Sequence, residues 1–325
     1  MGRGTVNRQV QVGVETTPGT AVAASKVLPS MSMIITPLTR TKEVRSQGFK
    51  PATDVQNLGG LSQIALTGPL NYTEIIYPLN MIVAGVITTP AGGTLSRQHL
   101  FSPTAQGSDT AKTLTVQEGD STAATQAAGV FLANWGFTAA DAGVDITGEL
   151  RGRYPTAVSL TGSPTSVAQL PVNPREIDIY IDSTFGALGT TKVTDGLNIQ
   201  YGITDKQREK FVLNTAYSSF SESIEVVPTQ TFSFITEHNA QSRAIFAGIA
   251  SVNAVQYMRM KATGPLIEGT INYLFQFDVP VKITATAQED SDGVWAYRYD
   301  CLPKYDSAFG NKMWEIKVIN TITAL

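Results

Sequence analysis

The chain has 325 residues, 42% of them hydrophobic, enough to build one large or two ordinary domains around a sizeable core. Only 16% are charged, below the usual quarter or so, and the shortfall is filled by Thr, Ser, Gly, Ala and Val, a β-rich composition. A net charge of −3 excludes an overall basic footprint for gripping nucleic acid, and the single cysteine, Cys301, excludes an internal disulfide or a cysteine metal cluster.

Residues 1–30 read as an N-terminal arm. Val10, Val12 and Val14 alternate on one face, and Thr16-Thr17-Pro18-Gly19-Thr20 makes a turn. An ordinary edge strand and an arm that docks on a neighbouring subunit through Val10, Val12, Val14, Pro18 and Gly19 are both open. Residues 39–60 are polar, with Arg40, Lys42, Arg45 and Lys50 against Glu43 and Asp54, and predict a loop or exposed hairpin. Leu61–Thr67 alternates as a strand. Asn71–Ala84 predicts a helix from its spacing of Tyr72, Ile75, Ile76, Leu79, Ile82 and Val83, with Asn71 as cap, Glu74 completing a capping box and Pro78 as a kink.

Residues 86–111 predict a long loop or hairpin tip, and Thr113–Gln117, Val130–Thr138 and Val144–Leu150 predict strands. Four prolines, at 155, 164, 171 and 174, make 151–175 the candidate linker or crossing loop. Ile177–Asp182, Leu197–Ile203, Phe211–Phe220 and Thr229–Ile235 predict strands. A second helix is expected over Glu237–Ile249, capped by Thr236. After a strand at Val255–Lys261, the stretch Ile271–Thr286 places Ile271, Tyr273, Phe275, Phe277, Val279, Val281, Ile283 and Ala285 on one face. The opposite face, with Asn272, Gln276 and Asp278, predicts a wet surface. At about 3.4 Å per residue this ribbon runs about 50 Å, so the sheet bends (through Pro280), closes on itself or reaches a neighbour. Ser291-Asp292-Gly293 predicts a hairpin turn, Val294–Leu302 returns with Trp295, Tyr297, Tyr299 and Cys301 on one face, and Met313–Thr323 closes the chain.

A strand followed by a helix and several strands occurs twice, a similarity of element order that suggests duplication. The division expected is an arm (1–30), a first β domain with long loops (31–175) and a second β domain (176–325).

Neither histidine, His99 nor His238, has metal-ligand spacing around it, and no phosphate loop or nucleophile elbow occurs. Glu289–Gly293 fails as a calcium loop, because Gln288 and Tyr299 stand where Asp and Glu are needed. The reading is a non-enzyme with no catalytic residue, cofactor or metal.

Val14-Glu15-Thr16-Thr17-Pro18-Gly19-Thr20-Ala21-Val22-Ala23-Ala24 resembles the N-terminal run of major tail tube proteins of long, non-contractile-tailed bacteriophages. The acidic turn at Asp292-Gly293, the aromatic strand after it and Ile316-Lys317-Val318-Ile319-Asn320 resemble that family's C-terminal end. The resemblance implies a mainly β protein, an antiparallel sandwich or barrel with a helix packed outside each sheet. It implies a virion tail protein, made in the host bacterial cytoplasm, whose copies close into rings that stack into a conduit for DNA ejection. The rings would be trimeric and pseudo-hexameric, alternatively hexameric. Expected partners are the chain itself, a tape measure protein inside the tube, tail terminator and tail-tip proteins, and double-stranded DNA passing without specific binding; no membrane is involved. Asn272, Gln276 and Asp278 are the candidate lumen-facing residues. The alternatives are another virion β-protein (connector, decoration or tail-tip component) and a carbohydrate-binding or hydrolytic tail protein.

Overall fold

A computed structural model describes residues 7–214, 218–251 and 255–324. The protein is mainly β, with a large, mostly antiparallel sheet system of the β-sandwich class. The longer elements, in chain order, are β1 (Gln9–Val14), β2 (Ser32–Val44), β3 (Asp54–Pro69), α1 (Ile76–Asn80), β4 (Arg97–Phe101), β5 (Leu114–Gly119), β6 (Ala124–Ala140) and β7 (Gly143–Arg153). They continue with β8 (Ile177–Asp182), β9 (Gly196–Thr204), β10 (Thr229–Glu237), α2 (Ala240–Ser251), β11 (Gln256–Glu268), β12 (Ile271–Ser291), β13 (Val294–Pro303) and β14 (Glu315–Asn320).

One antiparallel sheet runs β2-β3-β7-β6-β9-β10-β13-β12. A second runs β8-β11-β12-β14-β4. The two share β12. On one edge its residues 274–278 pair with β14, and its residues 281–291 pair with β13. The change of partner falls at Pro280. The Pro280 carbonyl accepts from the Lys304 N–H at 2.9 Å. In an antiparallel strand a residue's N–H and C=O face the same edge, so the missing N–H falls in the gap between partners and no ladder bond is lost. A bulge between Ile283 and Ala285 follows. The expected bend therefore takes the form of a strand that leaves one sheet and joins another. β6 does the same: residues 124–130 pair with β5, which also holds β1, and residues 131–140 pair with β7.

Between the sheets the odd positions of β12 meet the aromatic residues of β6 and β9. Phe137 lies edge-on to Phe277 with ring centres 5.3 Å apart, and Tyr201 is 4.7 Å from Phe277. This core is continuous from Val10 to Val318. The two expected halves share it, and they share sheets as well, since β6 pairs with β9 and β4 with β14. The candidate linker is threaded into the body: Val167 and Val172 are buried, and Val167 N–H donates to the Val27 carbonyl at 3.0 Å.

Three local expectations fail for physical reasons. The first helix is only Ile76–Asn80, and it lies inside the core, with Ile75, Ile76, Leu79 and Ile82 fully buried. Helical spacing marks one apolar face, but this segment is buried on every side, its polar Asn71, Thr73, Glu74 and Asn80 included. The Asn71 side chain accepts from Thr73 N–H, and the Glu74 carboxylate turns to Ser30 N–H at 3.1 Å instead of closing a capping box. The second helix starts later than expected, because Thr236 and Glu237 finish β10 and the cap is Asn239, whose side chain accepts from Ser242 N–H at 2.9 Å. Phe211–Phe220 forms no strand among its described residues; 215–217 lie outside them.

The registers also set which elements share an end. Pro69↔Asp145, Ala140↔Gly143, Asn198↔Ala140, Gly196↔Thr236 and Glu237↔Ala296 place the β12–β13 turn at one end of the first sheet. The turn joining β2 to β3 projects from the opposite end.

Burial of Glu74 pushes its carboxyl up to about 7 from an ordinary 4.5, against the lowering effect of the Ser30 and Met31 N–H groups. The folded state therefore holds this proton more tightly than the unfolded chain. The resulting stabilisation is complete below the unfolded value and is lost as pH rises through the folded one. Glu74→Gln keeps the acceptor for Ser30, so we expect a higher urea midpoint than wild type at about pH 8 and a flatter pH dependence from about pH 4.5 to 7.

Candidate assembly interface

The alternation of β2 holds at its base, where Met33 and Ile35 are buried and Ile34 is exposed. Beyond that point it stops. From Thr36 to Leu58 every residue is exposed except the half-buried Val44 and Ala52. A strand pair exposed on both faces has left the body of the protein. Pairing continues from Thr36↔Gln63 to Val44↔Asp54, past a bulge between Thr39 and Thr41. At about 3.4 Å per residue, the Thr36–Val44 strand reaches roughly 30 Å. The tip is closed by Thr53 N–H donating to the Val44 carbonyl at 2.8 Å and by the Ser46–Thr53 hydroxyl pair at 3.1 Å. Gly48 supplies the left-handed backbone there, at φ 87°.

An isolated two-stranded hairpin is marginal in water. This one nonetheless carries Leu38, Phe49, Val55 and Leu58 exposed, with Phe49 at 62%. Covering each would contribute on the order of 1–2 kcal/mol. Arg40 lies 3.8 Å from the centre of the Phe211 ring and ties the hairpin's root to the body. Among the described residues no strand pairs with the outer edge of β2. Pro37 and the charges Arg40, Lys42 and Glu43 along it are the devices that keep an open edge from pairing indiscriminately. The loop or exposed hairpin expected over 39–60 is the outer part of this hairpin; the apolar residues among its charges were the missed signal.

The expected docking residues behave otherwise. Val10 and Val12 are buried and Val14 half-buried within this chain, in a β1 strand paired with β5. The turn after β1 is locked to the same body: Gly19 N–H donates to the Glu15 carboxylate at 2.7 Å, and Arg153 donates to the Gly19 carbonyl at 2.7 Å. Glu15 is itself buried and also accepts from Thr113, Thr115 and Gly129. Pro18 stays exposed at the turn. Residues 1–6 of the arm lie outside the described residues; from Gln9 onward it is a core strand.

The candidate lumen residues are also corrected. Asp278 is 2% exposed and Gln276 is buried. Register sets Arg259 of β11 directly opposite Asp278, and the guanidinium donates to both carboxylate oxygens, at 2.7 and 2.8 Å. Gln276 donates to the same carboxylate at 2.8 Å, and Arg259 also donates to the Leu188 carbonyl at 3.1 Å. The even face is thus a covered ionic layer under the 185–189 loop. Asn272, half-buried, donates to the Gly264 carbonyl at 2.8 Å.

Both histidines are engaged by neighbours within the chain. His99 is buried with Nε2 at 3.1 Å from Asn320 Oδ1, and burial pushes its pKa down. His238 stacks flat on Trp295, with ring centres 3.7 Å apart. Among the described residues no three His, Cys, Asp or Glu side chains gather as a metal site. Within the same residues no helix is long and apolar enough to cross a membrane.

No protein-family profile matches the chain, and no curated protein is similar to it.

Two outcomes follow. Replacing residues 41–57 by Asn-Gly removes no buried side chain, so Tm should stay within a few degrees of wild type. Arg259→Ala leaves a buried carboxylate without its cation and should cost about 2–5 kcal/mol by urea denaturation.

Proposed function

We propose that this chain is a self-assembling structural subunit of a bacteriophage tail tube, closing into rings that stack around a DNA conduit. The observation that carries the reading is the β2–β3 hairpin. It is a long arm exposed on both faces, with apolar side chains that only another molecule can cover, beside an unpaired sheet edge. The resemblance of Val14–Ala24 and of the C-terminal run to tail tube proteins supplies the identity of the assembly. A ring closes sheet edges between subunits, and a mildly acidic chain offers passing DNA no grip. The proposed partners are further copies of the chain, a tape measure protein inside the tube, terminator and tip proteins at its ends, and DNA in transit.

Electron microscopy of the purified protein tests this. Stacked rings or tubes with a pore wide enough for duplex DNA are expected, and the variant lacking residues 41–57 should fold without forming them. Three subunits per ring would fit a chain spanning two tube positions, six a chain spanning one. A persistent monomer at high concentration, or one that binds sugar, would sink the reading.

A further inference from the structure

The β12–β13 hairpin, at the end of the first sheet remote from the β2–β3 tip, carries an aromatic surface that the proposed function has not used. Trp295 is 57% exposed, with one face covered by His238. His238 also stacks on Tyr297, with ring centres 4.9 Å apart, and Tyr297 is 5.5 Å from Phe246 of α2, which is 45% exposed. The series begins under the helix, where Phe234 stacks on buried Tyr299 at 4.6 Å and Tyr299 donates to the Ser242 carbonyl. It then runs past the start of α2 into solvent. An exposed indole on the sheet and an exposed phenyl ring on α2, joined through the stacked His238 and Tyr297, are the composition of an interface anchor.

The hairpin turn beside this surface is acidic. From Thr284 to Ala296 the chain carries Glu289, Asp290 and Asp292 and no base. Asp290 stands opposite Trp295 and shares its face, while Glu289 and Glu237 stand opposite Ala296 and lie on the other face. α2 contributes one exposed base, Arg243. The β2–β3 tip has the complementary character: Arg40, Lys42, Arg45 and Lys50 against Glu43 and Asp54, four bases to two acids, with exposed Phe49 between Gly48 and Lys50. Arg40 is held on Phe211 and Arg45 pairs with Glu43, while Lys42 and Lys50 extend into solvent.

We infer that the occupant of the Trp295 surface is the β2–β3 tip of a second copy of this chain, with Phe49 against the exposed face of Trp295 and Lys42 and Lys50 facing the acidic turn. The inference rests on the self-assembly reading and names the contact that joins copies end to end. The two surfaces project from opposite ends of one sheet, so one molecule cannot satisfy both; the contact is intermolecular and heterologous, and it repeats. Aromatic burial supplies the attraction, cation–π contact with the indole adds to it, and the charges set orientation and make assembly weaken with salt.

The test uses the full chain. Lys42→Glu with Lys50→Glu, and separately Asp290→Lys with Asp292→Lys in the acidic turn, should each weaken association roughly tenfold or more by sedimentation. The quadruple variant should regain it. Trp295→Ala and Phe49→Ala should weaken it without rescue by charge. All these side chains are exposed or half-buried, so unchanged melting curves report that the fold is intact. In a Phe49→Cys, Trp295→Cys chain, a short bismaleimide should produce a ladder of covalent oligomers; the native Cys301 is buried. Tubes that form normally in both charge-reversed variants, with no ladder, would overturn the contact and leave the tube reading standing. A wild-type chain that forms no tubes yet gives the ladder and the charge rescue would overturn the tube reading and leave the contact. Wild-type chains that form neither would overturn both.

Discussion

The fold depends on one strand belonging to two sheets. β12 must pair with β11 and β14 at its start and with β13 at its end, and its buried side chains must keep one face through the transfer. Proline is suited to the transfer point for a reason of hydrogen-bond supply. Where a strand changes neighbours there is an interval with no partner, and elsewhere a backbone N–H in that interval would be buried unpaired, a cost of about 1–3 kcal/mol. Pro280 has no such group. The bulge three residues later adds the local twist that turns the strand toward its second sheet. β6 makes a similar transfer between the first sheet and the β5–β1 strands, so each neighbouring sheet is joined to the first by continuous backbone, and the core is held as one body.

That arrangement accounts for what was legible in the chain and what was not. Alternation along Ile271–Ile283 was readable because it reports only which side of a strand is apolar, and Phe275, Phe277, Val279 and Val281 are indeed buried. The other side depends on neighbours distant in sequence. Gln276 and Asp278 have the character of wetted residues until Arg259 is placed opposite by register and the 185–189 loop covers them. Asn71–Ala84 misled in the reverse sense. Its spacing fits a helix because it fits almost anything: nearly every position is buried, so periodicity carries no information, and Pro78 and the Asn71 turn decide the outcome. Val10, Val12 and Val14 announced a strand, but only the pairing with β5 shows that it belongs to this chain's own core.

The candidate site was half legible. A polar run with Gly48 and Pro51 marks an exposed hairpin by turn chemistry alone. Its significance lies in a change of pattern that sequence does not show, from one-sided burial at Met33 and Ile35 to exposure on both faces beyond Thr36. Trp295 likewise sits in register with buried Tyr297 and Tyr299 and differs from them only in lying beyond the helix that covers the others.

The position of the two hairpins at opposite ends of the first sheet has a consequence for any object built from this chain. A contact between unlike ends has a direction. If the proposed contact joins the copies, an assembly of any length would finish with a bare cationic finger at one extremity and a bare anionic aromatic face at the other. Growth at the two extremities would then differ in rate, and two different molecules would be needed to halt it, one offering an acidic receptacle and one a basic plug. Polarity of the whole would be written into the subunit by where its strands turn.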